Sequence, residues 1–213
     1  MIILSILVPT IPERGQMFTK LYNELHKQLE YMQTFHPSLG HIEILVNDDK
    51  RYLEGGPSIG KKREELVKRA EGKYLCFLDD DDSIAGNYLE TLVRLCQMDA
   101  DVCTFKNISM LKDYWCIIDM SINYPNDQAS PDFVVRRKPW HINPVRSVFA
   151  KLHSFTDTNY GEDWAWFEQV LSHCKTEAKT EAVIHKYSHG EHSESDKITK
   201  HELQSKSRAT AHS

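Results

Sequence analysis

Two acidic clusters stand out by type and position. Four consecutive aspartates, Asp79 to Asp82, follow the apolar run Tyr74–Leu78, and the pair Glu162-Asp163 follows a glycine. Adjacent like charges repel, so the aspartates mark a solvated turn, a helix cap or a site that is incomplete until a cation arrives. Four chemistries compete for them. Asp82 or Ser83 could cap a following helix, whose positive end favours acids. Asp79, Asp81, Ser83 and Glu90 fall at positions 1, 3, 5 and 12 of a calcium loop, but Ile84 occupies the position that needs glycine. An apolar strand running into D-x-D-x-S also suits an aspartyl-phosphate phosphatase with Asp79 as nucleophile. Finally, alternating carboxylates at a strand end suit Mg²⁺ or Mn²⁺ carrying a nucleoside diphosphate, because hard cations share their shell between carboxylate and phosphate.

The elements that must position these acids favour the last reading. The run "IILSILV" reads as a strand buried on both faces, and "IEILV", "YLCFL" and "DVCTF" repeat the pattern. Helical spacing fills the gaps over Glu13–Phe35, Ser58–Ala70 and Gly86–Met98, with Gly72 expected at positive φ after the second helix. Strand–helix alternation of this kind predicts a mostly parallel sheet with helices on its faces. Ligands of such sheets bind at the carboxyl ends of the strands. Pro9-Thr10, Asn47-Asp48-Asp49 and the four aspartates close the first three strands. Further along, "DYWCIIDM", "PDFVVRR" and "EAVIHKY" read as strands and "GEDWAWFEQVLSHC" as a helix. Beyond Tyr187 the chain is polar, and a short helix or partly disordered tail is expected.

Composition narrows the classes. The 213 residues suffice for one well-buried α/β domain, and a net charge of −5 disfavours general nucleic-acid binding. Five cysteines without a C-x-x-C pair point to a reducing compartment, hence a cytoplasmic protein. The N-terminus reads as a first strand rather than a signal peptide, and no apolar run is long enough for a membrane span.

The ordered set "ILVPTIPER", "IEILVNDD", "GPSIGKKREELVKRAEGKYLCFLDDDD" and "NYGEDWAWFEQVL" resembles the GT-A-fold glycosyltransferases, particularly the family 2-like group, over roughly residues 3–190. The resemblance implies a single α/β domain: a GT-A (Rossmann-like) central, mostly parallel sheet flanked by helices over 1–190. Residues 1–106 would form the nucleotide-sugar-binding half, 107–190 the acceptor and catalytic half, and 191–213 a polar C-terminal tail. It further implies a metal-dependent, inverting transfer from a nucleotide-sugar, a UDP-sugar, with Mn²⁺ or Mg²⁺. Pro9 and Thr10 would lie beneath the base, Asp48 or Asp49 would bind base or ribose, and Lys62 or Arg63 would face the nucleotide or its phosphates. Asp79 and Asp81 match the D-x-D, with Asp81 the direct metal ligand and Asp80 a candidate for the ribose. Asp163, with Glu162 as fallback, matches the general base that takes the acceptor proton. His185 could be a third metal ligand, with His189 and His192 as alternatives.

Residues 133–156 contain no acid, yet carry Arg136, Arg137, Lys138, Arg146 and Lys151 with Trp140, His141 and His153 interleaved. A solvated basic face explains this. So does an acceptor site built from Arg136, Arg137, Trp140, His141 and Trp164, which would take a glycan, a protein or a modified DNA base. Two other functions stay open at this point: a nucleotide-sugar-binding protein without turnover, and a metal-dependent phosphohydrolase.

Overall fold

The computed structural model describes residues 1–50, 52–111, 114–125, 128–129 and 133–187. In chain order the elements are β1 (Ile2–Pro9), α1 (Gly15–Phe35), β2 (His41–Asn47), α2 (Ile59–Arg69), β3 (Tyr74–Phe77), β4 (Ser83–Ile84) and α3 (Tyr88–Gln97). They continue with β5 (Val102–Leu111), β6 (Tyr114–Met120), β7 (Gln128–Ala129), β8 (Val134–Arg137), β9 (Val145–Arg146), α4 (Ser147–Ala150), α5 (Glu162–Leu171) and β10 (Glu177–Tyr187). One curled sheet joins all the strands. β1 lies between β2 and β3, parallel to both. The short β9 links β3 to β5 through antiparallel pairs. β5 pairs parallel with β10 and antiparallel with β6.

Side-chain alternation explains the continuous apolar runs. Leu4, Ile6 and Val8 of β1, with Tyr74 and Cys76 of β3, pack into one cluster with Leu21 and Leu25 of α1 and Leu92 and Val93 of α3. Leu7, Leu75 and Phe77 point the other way, into a second cluster with Leu66 and Val67 of α2 and Trp166, Phe167 and Val170 of α5. A strand with period two and helices on both faces needs apolar residues at every position. Each fully buried aliphatic side chain contributes roughly 1.5–3 kcal/mol of transfer free energy, so the sheet centre is the stable platform and its strand ends are free to carry polar groups.

Two local expectations are corrected. Neither Asp82 nor Ser83 caps α3. Ser83–Ile84 instead forms β4, whose Ile84 pairs with His185 of β10, and the helix begins only at Tyr88. Its first turn is closed from α1: the Leu89 amide donates to Gln28 Oε1 at 3.0 Å while Gln28 Nε2 donates to the Ala85 carbonyl at 2.9 Å. A tertiary partner thus replaces the local cap. Likewise, Gly72 does not adopt positive φ; among the described residues, the glycines that do are Gly40, Gly55 and Gly161. Its role is close approach. The Gly72 amide donates to Ser5 Oγ at 2.9 Å, and an added Cβ would stand 2.5 Å from that oxygen and 2.7 Å from the Ser5 nitrogen. The final strand also starts earlier than the sequence pattern suggests, at Glu177. The 191–213 tail lies outside the described residues.

Gly72→Ala should therefore lower stability by about 1–3 kcal/mol through overpacking against β1, seen as a melting midpoint several degrees below wild type. An unchanged midpoint would contradict the close-approach account.

Candidate active site

The carboxyl ends of the first three strands are tied to one another before any ligand is considered. The Thr10 amide donates to the Asn47 carbonyl at 2.8 Å, and the Leu78 amide donates to the Leu7 carbonyl at 3.0 Å. Lys62, projecting from the first turn of α2, donates to the Thr10 carbonyl at 2.7 Å and also to the Asp49 carbonyl. Beside these loops opens a cleft lined by Pro9, Thr10, Ile11, Arg14, Tyr52, Pro57, Ile59, Lys62, Asp80 and Asn159. Asp48 and Asp49 are exposed and do not line it. Burial lowers the Lys62 pKa, with the neighbouring acids opposing the shift.

The four aspartates alternate in exposure, and their partners come from three different parts of the fold besides the turn after β1. Asp80 and Asp82 have side chains sealed from solvent, at 1% and 0% exposure. Asp79 and Asp81 keep 24% and 23%. Asp79 pairs with Arg63 at 3.0 Å. Asp80 accepts from the Thr10 hydroxyl at 2.6 Å and pairs with Arg14 at 2.8 Å. Asp81 also pairs with Arg14, and Asp82 stands 2.9 Å from His185 Nε2. Burial pushes Asp80 up to about 7 against the pull of Arg14, and it raises Asp81 as well. Burial acts in the same sense on Asp79, but Arg63 and His141 outweigh it and hold that carboxyl well below the usual range.

The second acidic pair joins the same network. Gly161, at φ +75°, turns the chain into α5 so that Glu162 and Asp163 occupy its first turn. Arg63 bridges the clusters: its Nη2 meets Asp79, and its Nε donates to Glu162 at 3.2 Å. His141 forms a second bridge, with Nε2 3.6 Å from Asp79 and Nδ1 2.9 Å from Asp163. Its backbone carbonyl accepts from the Phe77 amide at 2.9 Å, which fixes the ring beside the end of β3. Burial disfavours charge on His141, yet Asp163 and Asp79 raise it from 6.5 to about 9 against Arg63. Asp163 is held low by His141 despite its own burial, whereas burial raises Glu162. Asp163 retains 27% exposure and Glu162 only 5%.

Among the described residues, no three His, Cys, Asp or Glu side chains form a ready-made metal cage. A calcium loop does not form either, because Glu90 lies in α3 and pairs with Arg94. The partly exposed Asp79 and Asp81 still suit Mg²⁺ or Mn²⁺, which bind through one or two carboxylates and complete the shell with substrate phosphate and water. His185 is sealed against Asp82 rather than grouped with Asp79 and Asp81, and His189 and His192 lie outside the described residues.

The expected acceptor residues separate. Arg137 stacks over Trp140 at 4.0 Å and over Trp164 at 5.2 Å. Arg136 occupies the alternate position of β8, in register with Asp119. His141 belongs to the acid network rather than to this stack. Arg14, which neutralises two of the four aspartates, went unassigned in the sequence reading. Its only signal is its place in "PTIPER", just past the end of β1.

The fold has known relatives in structure. It is similar to crystal structures of S. aureus TarS 1-349 (TM-score 0.60, 15% identity, covering 88% of this chain and 60% of that one). Complexes of that protein with UDP-GlcNAc (TM-score 0.60, 16% identity, 90% and 60% covered) and with UDP (TM-score 0.60, 15% identity, 87% and 60% covered) match equally well. This chain thus spans about 60% of the length of the TarS fragment. No family model matches the sequence, and no curated protein does.

The His141 pair has a pH signature. A histidine whose pKa rises on folding contributes stability that is full below its unfolded value and is lost as pH climbs through the folded value. Urea unfolding should therefore show stability falling between pH 6.5 and about 9, and this slope should flatten in His141→Gln. An identical slope in the variant would assign the titration elsewhere. With the sheet order, the strand-end cleft and the structural likeness together, this chain has the GT-A fold.

Proposed function

We propose that this chain is a metal-dependent, inverting glycosyltransferase that moves a sugar from a nucleotide-sugar, a UDP-sugar, to an acceptor hydroxyl. One juxtaposition carries the reading. An apolar-walled cleft reaches Asp80, whose neighbours Asp79 and Asp81 are partly exposed, and Asp79 is linked through His141 to a solvent-accessible acid, Asp163. TarS is solved in complex with UDP and with UDP-GlcNAc, which favours a uridine donor here. The acceptor is a glycan, a protein or a modified nucleic-acid base. Five free thiols suit a cytoplasmic setting.

Pro9, Thr10 and Tyr52 would wall the nucleoside, and Asp79 and Asp81 would hold Mn²⁺ or Mg²⁺. When bound, that cation supplies positive charge against the departing diphosphate. Asp163 accepts the proton as the acceptor oxygen bonds to the anomeric carbon and the bond to the diphosphate breaks. Access favours Asp163 over Glu162, because a general base must reach the proton before its basicity matters. Glu162 is sealed and paired with Arg63. His141 holds Asp163 in place and keeps its charge next to Asp79 from being left uncompensated.

UDP should raise the melting midpoint only with Mn²⁺ or Mg²⁺ present, since a ligand confined to the native state stabilises it, and Asp81→Asn should abolish that shift. Asp163→Asn should keep the shift yet lower UDP release from UDP-GlcNAc by about 100-fold or more. An equal UDP shift in excess EDTA would sink the metal assignment. Phosphate release without acceptor, dependent on Asp79 as a covalent nucleophile, would favour a phosphohydrolase instead.

A further inference from the structure

The start of α2 is occupied by the chain itself. A helix N-terminus presents backbone N–H groups without intrahelical partners, and in many nucleotide-binding folds these meet a phosphate. Here the segment Phe155–Tyr160 covers them. The Ile59 amide donates to Asn159 Oδ1 at 3.0 Å, and the Gly60 amide donates to the Thr158 carbonyl at 3.1 Å. The Lys61 amide is capped by Ser58 Oγ, whose hydroxyl in turn donates to Asp157 at 2.6 Å. Further down the helix, Glu64 accepts from the Phe155 amide at 2.9 Å. The contact is too tight for any side chain at position 60, where a Cβ would lie 2.0 Å from the Thr156 carbonyl oxygen. The segment is therefore strapped across the helix start along its whole length.

The strap leads directly into Gly161, Glu162 and Asp163, and one of its residues also lines the nucleotide cleft: Asn159, opposite Pro9, Thr10 and Tyr52. Resting on the glycosyltransferase reading above, we propose that Asn159 is a positioning residue that couples donor occupancy to placement of the acid pair. Its Oδ1 is committed to the Ile59 amide, so the amide N–H groups at the other end are the donors that a nucleotide's oxygen acceptor meets in the cleft. Bound donor then holds Asn159 from one side and α2 holds it from the other. The strap, and with it the first turn of α5, is fixed when donor is present. Arg63, which projects from α2 to Glu162 at 3.2 Å, ties the far end of the strap to the same helix.

Two substitutions separate coupling from plain structural support. Asn159→Asp keeps an oxygen for the Ile59 amide but replaces the donor with negative charge. Asn159→Ala removes both ends. With UDP and Mn²⁺ as the probe, UDP affinity is read by calorimetry and amide exchange is followed across 156–163. In the wild type, UDP should slow exchange in that segment. In Asn159→Asp, exchange without ligand should match wild type, UDP affinity should fall about tenfold or more, and the UDP-induced slowing should disappear. In Asn159→Ala, exchange should already be faster without ligand. UDP that binds the wild type while leaving exchange over 156–163 unchanged would overturn the coupling and spare the donor-site reading. So would wild-type UDP affinity in Asn159→Asp. Failure of the wild type to bind either UDP or UDP-GlcNAc would overturn the donor-site reading, and the coupling with it.

Discussion

The organising constraint of this molecule is charge compensation at the end of β3. Four adjacent carboxylates leave the most buried strand of the sheet, where like charges about 5 Å apart repel by roughly 3 kcal/mol at an intermediate dielectric. No single neighbour can neutralise four such groups. Arg14 comes from the turn after β1, Arg63 from α2, His141 from the loop before β9, and His185 from β10. Each of these side chains anchors its own element to the strand end, so the polar demand of one tetrapeptide draws four distant parts of the chain together.

The turn between β3 and β4 divides this charge into two roles. Asp79 to Asp82 form a tight turn, closed by the Asp82 amide donating to the Asp79 carbonyl at 3.1 Å, which buries Asp80 and Asp82 and leaves Asp79 and Asp81 partly exposed. The buried two are structural partners of Arg14, Thr10 and His185. The other two stay partly exposed while paired with Arg63, His141 and Arg14. Their cations also reach further. Arg63 and His141 touch Asp79 with one end and the Glu162-Asp163 pair with the other, so the two acidic clusters share both partners. The strap over the start of α2 adds a backbone route between the same two regions.

Local pattern and tertiary partner disagree at instructive places. The helix after the aspartates was expected to take its cap from Asp82 or Ser83, yet β4 pairing holds that stretch extended and Gln28 of α1 supplies the cap. Gly72 matched a helix-ending glycine by position, but the packing of Ser5 against its Cα hydrogen is what requires it. His141 looked like one more basic residue in an acid-free segment. Only the pairing of its backbone with Phe77 turns the ring between two carboxylates. Arg14 had no motif of its own, because an arginine past a strand end reads as ordinary surface charge until Asp80 and Asp81 are brought to it.

The sequence by itself determined the sheet and the strand-end location of the site. Apolar runs of strand length alternating with helical periodicity leave few ways to bury both faces of β1 and β3, and each polar cluster sits where such a strand must stop. It also determined which residues are acids of interest, since four carboxylates in a row and a glycine-led pair are visible without coordinates. The tertiary structure decided the division of labour among them. Which aspartate is sealed, which partner meets it, and whether Glu162 or Asp163 reaches solvent depend on residues 70 to 103 positions away. Those contacts follow from how helices pack on a twisted sheet, a property of the whole fold that no local spacing records.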